Sequence, residues 1–309
     1  MNHSAIIFPG QGSQSVGMLK ELHDEYQVVR DTFTEASDVL NYDLWQLVNN
    51  GPETELNETH RTQPALLTAS TAIWRVFASL TDKRPAYLAG HSLGEYSALV
   101  NAGVLNFADA VQLVEQRGKF MQQAVPAGTG SMAAIIGLDD DAIKLACEEA
   151  AQGDVVSPVN YNSPGQVVIA GNKAAVERAG EACKDAGAKK VMPLSVSVPS
   201  HCALMKPAAE QLAEILSSIS IKQSNLQVIN NVDVSIESNE EQIKDALVRQ
   251  LFMPVRWTEV VQFMANNGVT ELYEFGPGKV LTGLTKRIDR SISAKAVNDI
   301  ASINALIGE

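Results

Sequence analysis

The sequence predicts an α/β protein in which a small domain is inserted into a larger one. Short apolar runs alternate with segments of helical periodicity along most of the chain, which is typical of α/β folds. A β-α-β-β-α-β order occupies the middle of the chain, and further αβ alternation follows it. With 309 residues, the chain is long enough for a large domain that carries an insertion.

The first part of the chain predicts a buried strand at Ala5–Phe8, followed by a loop rich in glycine and glutamine. Helical periodicity predicts one helix through Pro64–Ser79 and another around Phe107–Gln123. We place the end of this part in VPAGTG, where proline and glycine interrupt the periodic pattern.

The middle of the chain carries the β-α-β-β-α-β pattern. Its predicted elements are, in order, a strand at SMAAIIG, a helix at Asp140–Ala150, strands at VVSPVNYN and QVVIAG, a helix at Ala174–Ala186 and a strand at KKVMPLSV. This order can form a four-stranded sheet with two helices on one face, as in ferredoxin-like domains. We therefore predict a small domain over residues 128–197 and a large domain over residues 1–127 and 198–309, with a late strand at Glu271–Phe275.

The segment AGHSLGEYSALVNAG places Ser92 between Gly90 and Gly94, in a G-x-S-x-G pattern. An apolar strand precedes the pattern, and apolar residues at helical spacing follow it. A turn this tight leaves no room for side chains at the flanking positions, which favours glycine there. The context favours a nucleophile elbow, with an exposed serine hydroxyl, over a glycine-rich turn with an incidental serine.

A nucleophilic serine needs a base that takes its proton, and histidine is the usual one near neutral pH. Among the five histidines, His201 lies in SVPSHCALMKPAAE, a loop that enters a helix well after Ser92. Catalytic side chains are often carried by such loops. His60 precedes a helix and is the alternative, whereas His91 adjoins the serine on a turn where neighbouring side chains diverge. We expect His201 to be the base.

The loop in AIIFPGQGSQ predicts part of an oxyanion hole. Its glycines let the backbone approach a ligand, so the N–H of Gln11 is one candidate donor, and the N–H of Leu93 after the serine is the other. Gly10 and Gly12 also resemble the start of a dinucleotide-binding turn. That pattern requires a third glycine where this chain has Ser15, and no phosphate-binding G-x-x-x-x-G-K-[ST] motif is present, so nucleotide binding is disfavoured.

Arg117 lies on the apolar side of its predicted helix. The residues three and four positions away on that side are Leu113, Val114, Phe120 and Met121. No carboxylate is within local reach, although a buried guanidinium needs a partner. The partner is either an acid distant in sequence or a substrate carboxylate, which the planar guanidinium can bind bidentately.

Composition excludes several classes of function. The net charge of −12 disfavours a general nucleic-acid binder, and no apolar run approaches the roughly 20 residues that a membrane helix needs. Cys147, Cys183 and Cys202 form no C-x-x-C pair, so neither a zinc ribbon nor a redox motif is predicted. These widely spaced cysteines indicate a reducing, cytoplasmic setting.

Together the motifs resemble the malonyl-CoA:acyl carrier protein transacylase family. FPGQGSQ, GHSLGEYSA, QRGKFMQ, NSPGQVVIAG and VPSHCALMKPA occur in family order, and the likeness extends to YEFGPGKVLTGL. The resemblance implies an α/β-hydrolase-like large domain, a ferredoxin-like small domain and an active site between them. It also implies that Ser92 is the nucleophile, that His201 is the base and that the backbone carbonyl of Gln250 orients the histidine.

The resemblance further implies that the N–H groups of Gln11 and Leu93 bind the oxyanion. Arg117 would bind the malonyl carboxylate, with Met121 and Asn162 as further substrate-binding residues. The malonyl group would pass from malonyl-CoA to the serine and then to the phosphopantetheine thiol of acyl carrier protein, which supplies fatty-acid elongation. CoA is the other product, and the reaction needs no bound cofactor or metal.

The carrier protein of this family is acidic, so clustered basic residues are candidates for docking it. These are Lys189 and Lys190 at the small domain and Lys286 and Arg287 near the C-terminus. A hydrolase with the same Ser–His pair and a non-catalytic module of a larger synthase are the alternative functions. The full set of serine, histidine and oxyanion donors argues against the module, and release of CoA without carrier protein distinguishes the hydrolase.

Overall fold

The computed structural model describes residues 1, 3–196 and 198–308. The described residues form nine strands: β1 (Ser4–Phe8), β2 (Tyr87–Gly90), β3 (Gly130–Ile136), β4 (Val156–Ser163), β5 (Gln166–Asn172), β6 (Lys190–Pro193), β7 (Gln227–Ile229), β8 (Glu271–Phe275) and β9 (Ser293–Val297). The predicted domain boundary at Ser197 lies outside the described residues, as do Asn2 and Glu309.

The helices cover most of the remaining chain. In order they are α1 (Lys20–Glu25), α2 (Gln27–Leu40), α3 (Leu44–Asn50), α4 (Glu53–Leu56), α5 (Thr59–Leu80), α6 (Gly94–Asn101), α7 (Phe107–Ala124), α8 (Asp140–Ala151), α9 (Lys173–Asp185), α10 (Lys206–Ser218), α11 (Glu240–Gln250), α12 (Trp257–Asn266), α13 (Val280–Ile288) and α14 (Ile300–Ile307). A short 3-10 helix, Ala203–Met205, precedes α10. No helix among the described residues is long and apolar enough to cross a membrane.

The larger sheet is parallel and has the strand order β7-β2-β1-β8-β9. Its central strand β1 pairs with β2 and β8, with Ala5 opposite both Tyr87 and Leu272. Every residue of β1 is buried, because helices cover both faces of such a sheet. The alternating side chains confirm this, since Ile6 and Phe8 belong to one apolar cluster and Ala5 and Ile7 to another.

The smaller sheet is antiparallel, with the order β4-β5-β3-β6. Its elements follow the predicted β-α-β-β-α-β order. Ala133 and Ile135 pack with apolar residues of α8 and α9, whereas Met132 and Ala134 pack on the opposite face with Cys202. The two helices therefore cover one face, and the other face is turned toward the loop that carries His201.

Two differences from the predicted elements concern the small sheet and its junction. The predicted strand KKVMPLSV ends at Pro193, and the chain leaves the sheet after the N–H of Leu194 bonds to the carbonyl of Met132 at 2.9 Å. The segment before α12 adds to the other edge: the N–H of Val255 bonds to the carbonyl of Val159, and its carbonyl accepts from the N–H of Tyr161. Backbone hydrogen bonds thus join the segment before α12 to the small sheet.

Candidate active site

Ser92 lies on the turn between β2 and α6, with a left-handed φ of 53°. A Cβ atom on Gly90 would lie 1.9 Å from the carbonyl carbon of Gly94, and one on Gly94 would lie 2.1 Å from the carbonyl oxygen of Phe8. Neither position has room for a side chain. The predicted close approach of strand and helix around the serine is therefore confirmed.

His201 is in direct contact with Ser92. Its Nε2 lies 2.8 Å from the serine Oγ, and its Nδ1 lies 2.7 Å from the backbone carbonyl of Gln250. Because a carbonyl only accepts, Nδ1 carries the proton and Nε2 is left to accept from the serine hydroxyl. His60 lies elsewhere, with its Nδ1 2.9 Å from Oε1 of Gln122.

The imidazole of His201 is buried, with 3% of its surface exposed. Burial, followed by the positive charge of Arg117, lowers the pKa of His201 from 6.5 to about 3, and the hydrogen bond to Gln250 opposes this shift. The imidazole of the free site is therefore neutral at physiological pH, which is the form that a general base requires.

Ser92 opens into a cavity of about 120 Å³, which residues of the small sheet and of loops that follow strands of the large sheet line. Met132 of β3 and Asn160 of β4 contribute from the small sheet, and Gln11 and Leu93 contribute from the loops of the large sheet. The N–H groups of Gln11 and Leu93 donate no hydrogen bond to any part of the chain that the structure describes. Two backbone N–H groups without a partner in the described chain thus lie beside Ser92.

Arg117 is the largest charged side chain in this site and is 1% exposed. It donates to Oε1 of Gln63 and to Oε1 of Gln250, both at 2.9 Å, and one of its terminal nitrogens lies 3.4 Å from the Oγ of Ser92. It forms no salt bridge within residues 1, 3–196 and 198–308. An acid distant in sequence therefore does not contact it in the described chain.

The position of Arg117 follows from the close packing of α7 against α5. A Cβ atom on Gly118 would lie 2.5 Å from the Cα of His60, so the two helices are in backbone contact at this point. The ring of Tyr96 lies below the guanidinium, 5.3 Å from its central carbon. The helix pair and this ring together fix where the cation stands.

A buried polar network behind the elbow was not predicted from the sequence. Asn231 accepts from the N–H of Ser92 at 2.8 Å and donates to the carbonyl of Gly90 at 2.7 Å, so it bonds to the turn on both sides of His91. Glu95 accepts from the N–H of Asn231 and from the side-chain amide of Gln250. These residues are distant in sequence, and polar pairs of this kind leave no periodic signal.

The other predicted residues have different surroundings. Met121 lines the cavity, and its sulfur lies 3.5 Å from Nε2 of Gln63. Asn162 does not line the cavity; its side-chain oxygen instead lies 2.8 Å from Nε2 of His91, which it holds beside the elbow. The four basic docking candidates are all exposed and lie outside the cavity, and Arg287 bonds to Gln166 of the small sheet.

Comparison with known proteins identifies the family. The acyl transferase domain family matches residues 5–304. The malonyl CoA-acyl carrier protein transacylase of Salmonella typhimurium is 64% identical over 307 residues, which cover 99% of each chain. The chain belongs to the malonyl-CoA:acyl carrier protein transacylase family. The resemblance predicted from its motifs is thereby confirmed.

Members of this transacylase family with solved structures share the mixed α/β fold. An acyl carrier protein S-malonyltransferase from Vibrio cholerae is 64% identical, with a TM-score of 0.97 over 99% of this chain and all of that one. A malonyl-transacylase in complex with a type II polyketide synthase acyl-carrier protein is 62% identical, with a TM-score of 0.98 over both full chains.

Proposed function

We propose that the chain transfers a malonyl group from malonyl-CoA to the phosphopantetheine thiol of acyl carrier protein, which supplies fatty-acid elongation. The observation that carries this proposal is a Ser92–His201 pair with a buried Arg117 beside it, which contacts no carboxylate among the described residues. The names of the relatives support the same acyl donor and acceptor. The cation favours an acyl group that ends in a carboxylate.

In the first half-reaction, the Oγ of Ser92 attacks the thioester carbonyl while Nε2 of His201 takes the hydroxyl proton. The carbonyl of Gln250 holds the tautomer in which Nε2 is free. The negative charge that develops on the carbonyl oxygen is stabilised by the N–H groups of Gln11 and Leu93. The C–S bond breaks, and His201 returns the proton to the departing CoA thiolate.

In the second half-reaction, the carrier thiol attacks the malonyl-serine ester and gives its proton to His201. The serine leaves as an alkoxide, and His201 reprotonates it, so the enzyme returns to its starting state. Throughout, Arg117 binds the malonyl carboxylate through N–H groups not used by its two glutamine partners, with Met121 beside it. Asn162 reaches the substrate only indirectly, through its hydrogen bond to His91, which lines the cavity.

We also infer the folds of the two domains and the cellular location of the enzyme. Residues 1–127 and 198–309 form an α/β-hydrolase-like domain, which the parallel sheet and the elbow after β2 support. Residues 128–197 form a ferredoxin-like domain, supported by the strand order β4-β5-β3-β6. The enzyme works in the cytoplasm, and neither half-reaction needs a bound cofactor or a metal.

Mass spectrometry after mixing with malonyl-CoA tests the proposal. We expect one malonyl group on the peptide that contains Ser92, and no transfer by Ser92→Ala. CoA release without carrier protein should stop after one equivalent, because a transferase stalls as the acyl-enzyme. Continuous release would indicate a hydrolase, and a malonyl group on another residue would overturn the assignment of the nucleophile.

A further inference from the structure

Glu95 is a buried carboxylate that neither half-reaction uses. It is 2% exposed and follows the elbow in α6. It does not line the cavity at Ser92, which we call the acyl cavity. Its Oε2 accepts from the side-chain amide of Gln250 at 2.8 Å and from the N–H of Asn231 at 2.9 Å. Its Oε1 accepts no hydrogen bond from the described residues, and no cation of that set contacts it. A carboxylate in these surroundings holds its charge weakly.

The cation that acts on Glu95 lies one amide away. Gln250 donates to Glu95 through Nε2 and accepts from Arg117 through Oε1, so the three side chains form one hydrogen-bonded chain. Burial raises the pKa of Glu95 from 4.5 to about 7, and the charge of Arg117 is among the influences that oppose the rise. When Glu95 is ionised in the empty site, it is therefore the carboxylate nearest in hydrogen-bonded connection to Arg117, and the two charges attract each other.

Glu95 also lines a second cavity, of about 380 Å³, on the far side of the elbow. We call it the back cavity; its lining includes Glu95, Asn230 and Glu237, together with the exposed residues Lys222 and Gln223. It shares no lining residue with the acyl cavity. Solvent protons can thus reach Glu95 while an acyl group fills the cavity at Ser92.

We propose that Glu95 gives up its charge by binding a proton when the malonyl carboxylate binds Arg117. The inference rests on the malonyl transfer proposed above. The incoming carboxylate replaces Glu95 as the counter-charge, and two buried anions beside one cation are unfavourable. One proton from water or a buffer acid then enters through the back cavity and forms an O–H bond on Glu95. It returns to solvent when the malonyl group leaves.

This exchange makes Glu95 a specificity-determining residue that acts through Gln250. Malonyl binding requires uptake of a proton whenever Glu95 starts as an anion, so malonyl affinity falls as the pH rises above 7. One linked proton corresponds to about a tenfold loss of affinity per pH unit. An acetyl group has no carboxylate, leaves the Arg117–Glu95 pairing in place and shows no such dependence.

In the described chain, the other titratable and charged groups near Glu95 include Tyr96, Asp233, Lys222 and Glu237, and His201 and His91 lie near the Arg117 end of the hydrogen-bonded chain. Burial raises the pKa of Tyr96 to about 12, and a hydrogen bond from Arg249 lowers the pKa of Asp233. Burial lowers the pKa of both His201 and His91. Measurements between pH 7.5 and 8.5 therefore avoid the titration of these four groups.

Proton uptake can be measured without turnover in Ser92→Ala protein. Calorimetry at pH 8 in buffers of different ionisation enthalpy reports the protons bound per ligand. We expect nearly one proton with malonyl-CoA and none with acetyl-CoA, since both ligands share the CoA portion. Adding Glu95→Gln should abolish the malonyl-linked uptake. Adding Glu237→Gln is the matched control, because Glu237 lines the same cavity without bonding to Gln250, and it should leave the uptake unchanged.

Uptake that persists in Glu95→Gln, or that is absent from the Ser92→Ala parent, overturns the inference. If Glu95→Gln does not fold, the Ser92→Ala protein alone tests the inference. In that protein, the ratio of the Kd of malonyl-CoA to the Kd of acetyl-CoA should rise about tenfold from pH 7.5 to 8.5. A constant ratio would refute the exchange. Failure of malonyl-CoA to acylate wild-type Ser92 is a separate result, which overturns the proposed function and this inference with it.

Discussion

Ser92 and His201 both hold left-handed backbone conformations, with φ of 53° and 63°. Residues other than glycine adopt this conformation at a cost of order 1–3 kcal/mol. Hydrogen bonds fix each of them: the N–H of Ser92 bonds to Asn231, and the N–H of His201 bonds to the carbonyl of Leu251 at 3.0 Å. These hydrogen bonds offset part of the local cost and hold the Oγ of Ser92 2.8 Å from the Nε2 of His201.

Replacing His201 by alanine should slow malonylation of Ser92 by about 10²–10⁴-fold, because the serine loses the base that contacts it. His60→Ala is the matched control, since His60 bonds to Gln122 and does not contact the serine. Rapid-quench measurement of the acyl-enzyme gives both rates. Similar losses in the two variants would contradict the assignment of the base.

Replacing Arg117 by alanine should change which acyl group is accepted. Hydrogen bonds to a charged group contribute roughly 1.5–3 kcal/mol each, so a lost bidentate pair should lower kcat/KM for malonyl-CoA by about 10²-fold or more. Acetyl-CoA makes no such pair, and its kcat/KM should hold or rise. Arg117→Lys should rescue poorly, because the planar fork is lost. Equal losses for both substrates in a folded variant would rule out the carboxylate clamp.

The sequence identifies residues whose signal is local and misses those whose partners are distant. Ser92 stands out through its glycines, and Arg117 through its apolar neighbours on one helix face. Glu95 and Asn231 give no such signal, because they meet only after α6 packs against the end of β7. Gln63, which accepts a hydrogen bond from Arg117, is distant in sequence but does have a local signal. It is a polar residue among apolar neighbours on α5, the same pattern that singles out Arg117.

At the scale of elements, the pairing of α5 with α7 decides where Arg117 stands. Gly118→Ala would place a methyl group 2.5 Å from the Cα of His60, so the two helices must separate. Such overpacking typically costs 1–3 kcal/mol, and the shift should lower malonyl kcat/KM more than acetyl kcat/KM. Thermal unfolding and kinetics with both substrates measure the two effects.

Gly283→Ala is the matched control for this helix-glycine substitution. A Cβ atom on Gly283 meets nothing within 4 Å, and the residue lies inside α13 on an exposed face. Alanine should be neutral there or stabilise the fold by up to about 1 kcal/mol. If Gly118→Ala behaved like Gly283→Ala, the backbone contact between α5 and α7 would not be what positions Arg117.

The order of the elements could be predicted because apolar residues recur at different intervals in strands and in helices. From β3 to β6, the observed order is the predicted β-α-β-β-α-β order. The ends of the elements depend on tertiary contacts that periodicity does not show. Pro193 still pairs with Ala133, but the residues that follow leave the sheet and line the acyl cavity. The sequence does not show this end, because it depends on contacts that form only in the folded protein. The complete burial of α6 is likewise set by its surroundings, since all eight of its residues are enclosed.

For the whole molecule, the buried titratable groups set opposite dependences of stability on pH. Because the pKa of Glu95 is raised from 4.5 to about 7, its contribution favours folding below pH 4.5 and is lost as the pH rises through 7, by about 3 kcal/mol. As the pH rises from 5 to 8.5, the Tm of Glu95→Gln should therefore increase relative to the Tm of wild type. A constant Tm difference across that range would show that Glu95 keeps an ordinary pKa.

The depressed pKa of His201 acts in the other direction. In the unfolded chain, the imidazole of His201 binds a proton below pH 6.5, whereas in the folded protein it stays neutral until about pH 3. Stability therefore falls as the pH drops from 6.5 to about 3.

Docking of an acidic carrier should depend on local charge despite the net charge of −12. Reversing Lys189 and Lys190, or Lys286 and Arg287, should raise the KM for carrier protein and weaken its dependence on salt. The KM for malonyl-CoA should change little, because all four residues lie outside the acyl cavity. If neither double variant alters carrier kinetics, docking takes place on another surface.

The small acyl cavity has a consequence for attempts to redesign the enzyme. Its volume of about 120 Å³ is well below the roughly 300 Å³ at which ordinary ligand pockets begin, and its walls come from the small sheet and from helices and loops of the larger domain. Trimming Leu194 or Val198, which line it from the junction, would admit bulkier acyl chains without touching the reacting atoms. Leu194 and Val198 bound the cavity without belonging to the Ser92–His201 pair, so evolution or an engineer can vary the size of the cavity while keeping that pair.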